Sequence, residues 1–337
     1  MEVTRVVSRR AFIQTGVLAA LPPALTGCVS GSKVGTDGAR ETPEPLGAVM
    51  NLWPSSPPGG ENVTVAQAEI ERSKDETFHD VAVVNTTTPT LTLFRPGKPN
   101  GASMLIIPGG GYQRVVVGKE GYQIAKWLTD EGVAAFVLLY RLPADGWAAG
   151  PDAPLQDAQR AMRFIRGHAA QFGLDPARIG VMGFSAGGHL AARLATRFDL
   201  KTYTPLDDTD NTSARPDIAA LGYPVISFRD GVAHMGSRVN MLGPNPDTAR
   251  IREYSAEIDV PRTTPPCFLM CAADDPTVSV DNSLLMFQAL RQAKTPAALH
   301  IFESGGHGFG LQSSNDPSLA AWPNLFLEWS RQHRFVA

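Results

Sequence analysis

Apolar runs of five to seven residues recur along the chain at 103–107, 133–139, 178–182, 217–222, 266–271 and 297–302. Between them, apolar residues return every three or four positions over 119–131, 155–171, 186–197, 281–293 and 319–332. A short, continuously apolar run bounded by glycine marks a strand buried on both faces, and a 3.6-residue period marks a helix with one apolar stripe. Strands alternating with helices predict an α/β fold: a mostly parallel sheet with helices on both faces. Three more polar segments, 64–71, 78–85 and 90–94, alternate residue by residue and are expected as antiparallel strands at one edge. Residues 224–262 interrupt the alternation and read as a small insertion before the strand at 266–271. Ligands of such sheets bind beyond the carboxyl ends of the strands, so candidate chemistry is sought in the loops that follow them.

The loop after 178–182 holds Gly183-Phe184-Ser185-Ala186-Gly187, a G-x-S-x-G pentapeptide between a predicted strand and a predicted helix. A turn that tight leaves no room for side chains two residues either side of the serine. It lifts the hydroxyl above the sheet and aims the N–H of Ala186, at the helix start, toward the same spot.

A serine hydroxyl is a poor nucleophile at neutral pH, so this reading needs a base, a group that orients the base, and donors for an oxyanion. His307 is the candidate base, in the glycine-rich loop 303–310 that follows the run at 297–302. His168, His189, His234, His300 and His333 fall in predicted helices, a strand or the insertion, and His79 precedes the sheet core. Elbows of this kind take their acid between serine and histidine in chain order. The strand at 266–271 ends in Ala272-Ala273-Asp274-Asp275-Pro276. Asp275 is preferred because the residue before a proline is pushed into an extended conformation at the loop tip. Asp274 is expected to bond nearby backbone N–H groups, the common work of a loop aspartate. Asp259 is a weaker rival, and so is Asp281, which resembles a helix N-cap.

The strand at 103–107 runs into Pro108-Gly109-Gly110-Gly111-Tyr112. Three consecutive glycines expose backbone N–H groups with no side chains in the way, which is what donors to a developing negative charge require. Gly110 and Gly111, with Ala186, are the oxyanion candidates.

These residues carry a resemblance. Pro-Gly-Gly-Gly-Tyr at 108–112, Tyr-Arg-Leu-Pro at 140–143, the stretch 154–161, Gly-Phe-Ser-Ala-Gly-Gly-His-Leu at 183–190, Ala-Asp-Asp at 273–275 and Gly-Gly-His-Gly-Phe at 305–309 stand in family order. Over about residues 50–335 the chain resembles α/β-hydrolases of the esterase/lipase type, most of all bacterial carbohydrate-acetyl-esterase and xylan-esterase-like members. The resemblance implies Ser185 as nucleophile, Asp275 as acid, His307 as base, and an oxyanion hole from the glycines at 109–111 with Ala186. Many esterases of this type carry histidine where Pro108 stands.

Ser8-Arg9-Arg10-Ala11-Phe12-Ile13-Gln14, followed by apolar residues 16–25, reads as a twin-arginine export signal over 1–27. An apolar stretch near ten residues is too short to span a bilayer, where about 20 are needed. Leu25-Thr26-Gly27-Cys28 resembles a bacterial lipobox, with Cys28 as the lipidated residue. Residues 28–50, rich in Gly, Ser, Thr and Pro, are expected as a flexible linker and 51–337 as the catalytic domain. The expectation is an exported periplasmic or cell-envelope protein that touches a membrane only through that lipid.

The remaining cysteines, Cys267 and Cys271, lie four residues apart on a predicted strand, roughly 13 Å, which is too far for a disulfide. They are expected as free, buried thiols. No spacing suggests a zinc site, and no cofactor is expected. A net charge of −3 gives no general attraction to nucleic acid. With 43% hydrophobic residues the chain can bury one large core. The arginine-rich helix face at 160–166 reads as solvated, and Arg141 is a candidate partner for Asp157.

Phe228, Arg229, His234, Met235 and Arg238 in the insertion are available to line a site, and Trp53 and Tyr112 could stack on a sugar or aromatic acid. Tyr112 and Arg238 are the substrate-binding candidates. No large helical cap is evident, which favours short acyl groups, with acetyl esters of carbohydrate or xylan as the expected substrates. A feruloyl-type or other small-ester esterase, a serine peptidase on the same fold and a non-catalytic carbohydrate-binding protein are the alternatives.

Overall fold

The computed structural model describes residues 47–75, 79–311 and 316–336. The expected leader, Cys28 and most of the 28–50 linker lie outside the described residues. The strands are β1 (Ala48–Asn51), β2 (Ala68–Glu71), β3 (Val81–Val84), β4 (Thr90–Phe94), β5 (Ser103–Ile107), β6 (Ala134–Leu139), β7 (Ile179–Phe184), β8 (Ala219–Gly222), β9 (Cys267–Ala272) and β10 (Ala297–Phe302). The helices are α1 (Gln123–Asp130), α2 (Ala153–Gly167), α3 (Ala169–Phe172), α4 (Ala186–Arg197), α5 (Met235–Leu242), α6 (Thr248–Tyr254), α7 (Asp281–Gln292) and α8 (Trp322–Gln332).

Eight strands form one sheet in the order β1-β4-β6-β5-β7-β8-β9-β10. The pairs β1–β4 and β4–β6 are antiparallel and the others parallel. Every residue of β5, β6, β7 and β9 is buried, as their unbroken apolar runs require. Successive side chains point to opposite faces. Leu105 and Ile107 therefore join one core, with Phe136, Val181 and Leu269, beneath α2, α4 and α7. Met104 and Ile106 join the other, with Val137, Met182 and Phe268, beneath α1 and α8. Each large side chain so buried contributes about 1.5–3 kcal/mol.

The polar segments depart from expectation. β2 and β3 pair only with each other, in a separate two-stranded antiparallel sheet, and do not extend the main sheet's edge. Val83 of β3 instead exchanges backbone hydrogen bonds of 2.9 and 2.8 Å with Val115. That contact lays the hairpin beside the segment following the glycine run. The antiparallel edge is made by β4 and by β1, whose first residues fall within the expected linker. β1 is mostly exposed, so no apolar run marks it.

The arginine face of α2 is not solvated. Residues 198–217 fold over it: Arg160 is buried and pairs with Asp207 at 2.6 Å and Asp210 at 3.0 Å, and Arg166 meets Asp217 at 3.1 Å. Arg141 and Asp157, both fully buried, form the expected pair at 2.9 Å, and Asp157 also accepts Trp53 Nε1 at 2.8 Å. Trp53 is therefore a packing residue and no stacking platform. Cys267 and Cys271 are free and buried, and burial pushes the Cys267 thiol up to about 12.

Candidate active site

The carboxyl ends of β5, β7, β9 and β10 converge on one cleft. Ser185 sits between β7 and α4 with φ 53° and ψ −121°, a conformation disfavoured for any side chain bearing a Cβ. The elbow survives because its flanks are bare. A Cβ on Gly183 would lie 2.2 Å from the Gly187 carbonyl oxygen, and one on Gly187 would lie 2.1 Å from that of Ile107. The Ser185 carbonyl accepts His189 N at 3.1 Å, closing the first turn of α4.

The imidazole of His307, in the loop after β10, bridges two other elements. Its Nε2 stands 2.8 Å from Ser185 Oγ and its Nδ1 2.7 Å from Asp275 Oδ2. A carboxylate only accepts, so Nδ1 carries the proton and Nε2 is left to accept from the serine hydroxyl. Burial acts to raise the Asp275 carboxyl. The bond from His307 and those from the N–H groups of Val278 and Thr277 outweigh it and hold the group below its ordinary value. Asp274 turns away and accepts Gly306 N at 2.8 Å, which fixes the histidine loop. Three residues distant in sequence thus form one hydrogen-bonded line.

The glycine run after β5 closes the far wall. Gly110 and Gly111 line the cleft with Ser185 and His307, and Ala186 begins α4, where an N–H has no intrahelical acceptor. Gly109 does not share their position, because its N–H donates to Glu120 Oε2 at 2.8 Å. The cleft has a volume of about 500 Å³ and a polar rim that includes Arg72, Asp80, Arg114, Lys119, His234 and Asn240.

A family model described as BD-FAE matches residues 91–290, more than half of the chain and all of the strands from β5 to β9. The chain belongs to the BD-FAE family. It is an α/β-hydrolase of the esterase type. An acetylxylan esterase from Xylanibacter ruminicola is 36% identical over 225 residues, 66% of this chain and 44% of that protein. Endo-1,4-beta-xylanase B from Butyrivibrio fibrisolvens is 38% identical over 220 residues, 65% of this chain and 34% of that protein. The chain therefore spans less than half the length of these two relatives. A solved structure of an acetyl ester-xyloside bifunctional hydrolase from Caldicellulosiruptor lactoaceticus is 35% identical, with a TM-score of 0.71, covering 87% of this chain and 98% of that one.

Both substrate-binding candidates of this BD-FAE chain are displaced from that role. Tyr112 is fully buried, and its hydroxyl donates to His189 Nδ1 at 2.7 Å while His189 Nε2 donates to the Tyr254 carbonyl at 2.7 Å. Burial, reinforced by Arg193, holds that His189 imidazole down to about 3, so it is neutral and binds the glycine turn to α4. Arg238 is tied to Asp230 at 2.5 Å and to the Phe228 carbonyl at 3.0 Å, and it does not line the cleft. Phe228 is buried against His189, and Met235 is exposed. Of the insertion's candidates, His234 reaches the cleft.

Glu120 escaped the sequence reading. It is buried, and its Oε1 accepts the Tyr223 hydroxyl at 3.0 Å, while the Tyr223 ring packs edge-on to His307 at 5.1 Å. Burial, with Glu120 beside it, raises the Tyr223 phenol well above its ordinary value and keeps it a donor. A signal was present: Glu120 stands four residues before Ile124 and eight before Leu128, on the apolar face of its helical stretch. The turn that delivers it, Gly118–Tyr122, is π-helical and closed by Tyr122 N to Val117 O at 2.8 Å.

Proposed function

We propose that the chain hydrolyses short acyl esters, acetyl above all, on carbohydrate or xylan, through an acyl-enzyme on Ser185. The observation that carries the reading is the hydrogen-bonded line from Ser185 Oγ through His307 to Asp275, at 2.8 and 2.7 Å. His307 Nε2 takes the Ser185 proton as Oγ bonds the ester carbonyl carbon, and the carbonyl electron pair moves onto oxygen. The N–H groups of Gly110, Gly111 and Ala186 hold that oxyanion, each such donor being worth about 2.7–4 kcal/mol in the barrier. Asp275 keeps the imidazole in its tautomer and stabilises the imidazolium. The oxyanion collapses, the alcohol leaves with the proton from Nε2, and water repeats the sequence to release the acid.

Supporting the substrate reading are the names of the relatives, acetylxylan esterase and acetyl ester-xyloside hydrolase, and a polar cleft suited to a hydroxyl-rich alcohol. Acetate release from acetylated xylooligosaccharides, with rates on nitrophenyl acetate exceeding those on the octanoate, is the expected result. Rates that rise with chain length, or no acetate from any sugar ester, would contradict it. We further propose export through the leader at 1–27 and a lipid tether at Cys28, tested by labelled palmitate incorporation that Cys28→Ser abolishes.

A further inference from the structure

We propose that His234 is a substrate-contact residue whose Nε2–H donates a hydrogen bond to an oxygen of the sugar alcohol beside the scissile ester. The inference rests on the carbohydrate-ester reading above and adds to it the residue that recognises the sugar.

His234 stands at the N-terminus of α5. Its Nδ1 accepts the backbone N–H of Ser237 at 3.2 Å and lies 2.8 Å from Ser237 Oγ. A ring nitrogen that accepts a backbone N–H carries no proton, so the proton of the neutral imidazole is on Nε2. Burial and the nearby His307 both push the ring's pKa down, which keeps it neutral. Nε2 is thereby a donor, and among the described residues no protein acceptor takes it.

The ring is presented to the cleft by design of its neighbours. A Cβ on Gly236 would crowd the ring at 3.2 Å from His234 Cε1, and Gly111 borders the same ring edge at ordinary contact distance, its Cβ position 3.9 Å from that atom. Asn240, nearly two turns further along α5, donates to the Gly111 carbonyl at 2.8 Å and fixes the helix to the glycine turn. His234 is held at the wall where Ser185, His307 and Gly111 meet.

A donor there serves the alcohol better than the acyl group. A short acyl chain has no acceptor beyond its carbonyl, and that oxygen already faces backbone donors. A sugar carries hydroxyls on the carbons adjacent to the ester, and a site built to bond a hydroxyl discriminates against alcohols that lack one.

The test compares acetylated xylooligosaccharides with 4-nitrophenyl acetate, whose alcohol has no neighbouring hydroxyl. His234→Asn keeps a cap acceptor for Ser237 N, but its shorter side chain leaves the amide donor out of reach of the sugar oxygen. It is expected to lower kcat/KM on the oligosaccharide about 10- to 50-fold, mainly through KM, with nitrophenyl acetate within about 2-fold of wild type. His234→Gln, whose amide reaches further, is expected to restore part of the oligosaccharide rate. Equal losses on both substrates, or no loss on either, would overturn the assignment. Wild-type protein that cleaves nitrophenyl acetate but no acetylated sugar would overturn the carbohydrate reading itself, and it would do so before any variant is made.

Discussion

Glu120 holds Gly109: the buried carboxylate accepts the Gly109 N–H at 2.8 Å through one oxygen and the Tyr223 hydroxyl at 3.0 Å through the other. The residue before Gly110 is thereby fixed, and the same carboxylate reaches, through Tyr223, the ring of His307. Removing it frees the turn that carries the proposed oxyanion donors. Glu120→Ala is expected to lower kcat about 100-fold with KM little changed, because a displaced donor costs transition-state binding alone. Glu120→Gln, which still accepts from one partner, should lose about 10-fold. Steady-state kinetics with a thermal melt checks both, and a kcat within 2-fold of wild type for the alanine variant would remove Glu120 from the site's support.

The buried Arg141–Asp157 pair makes a stability prediction separate from the chemistry. Asp157 accepts the Arg141 backbone N–H at 2.8 Å, its Nε at 3.0 Å and the Trp53 indole at 2.8 Å, with no solvent at either charge. Asp157→Asn leaves the Arg141 charge uncompensated, at a cost of about 3–5 kcal/mol. Differential scanning calorimetry should show Tm lower by about 5–10 °C, with kcat unchanged below the transition.

The elements that carry the chemistry were legible because each is encoded locally. Ser185 lies in a pentapeptide whose glycines are demanded by contacts of 2.1 and 2.2 Å, and Asp275 was separable from Asp274 by the proline that follows it. What sequence could not give is encoded by distant partners. The arginines of α2 read as solvated because Asp207 and Asp210 come from an irregular segment with no periodicity. Tyr112 read as a sugar platform because its cover, His189 and Tyr254, arrives from 77 residues away and beyond. β2 and β3 alternate like edge strands, yet Val83 finds its partner in Val115 rather than in the sheet.

Asp145 gives a pH dependence. Burial, opposed by a backbone bond from Thr86, raises its carboxyl to about 6, and its Oδ2 has no partner among the described residues. The folded value lies above the unfolded one near 3.9, so the folded protein holds an extra proton between about pH 4 and 6. Stability therefore falls as pH rises through that window and stays lowered above it. Asp145→Asn, which keeps the acceptor without the charge, should stabilise by about 1 kcal/mol near pH 7.5 and give no gain near pH 4. Thermal melts at the two pH values check it; an equal shift at both would show that the charge is not the cause.

The claim beneath all of this is that His307 activates the hydroxyl of Ser185. Incubation with a fluorophosphonate followed by peptide mass spectrometry reads it directly. The account predicts one adduct, on Ser185, with Ser185→Ala folded but unlabelled and His307→Ala labelled at least about 100-fold more slowly. An active, folded protein whose Ser185 peptide stays unmodified, or labelling whose rate is indifferent to His307, would contradict it.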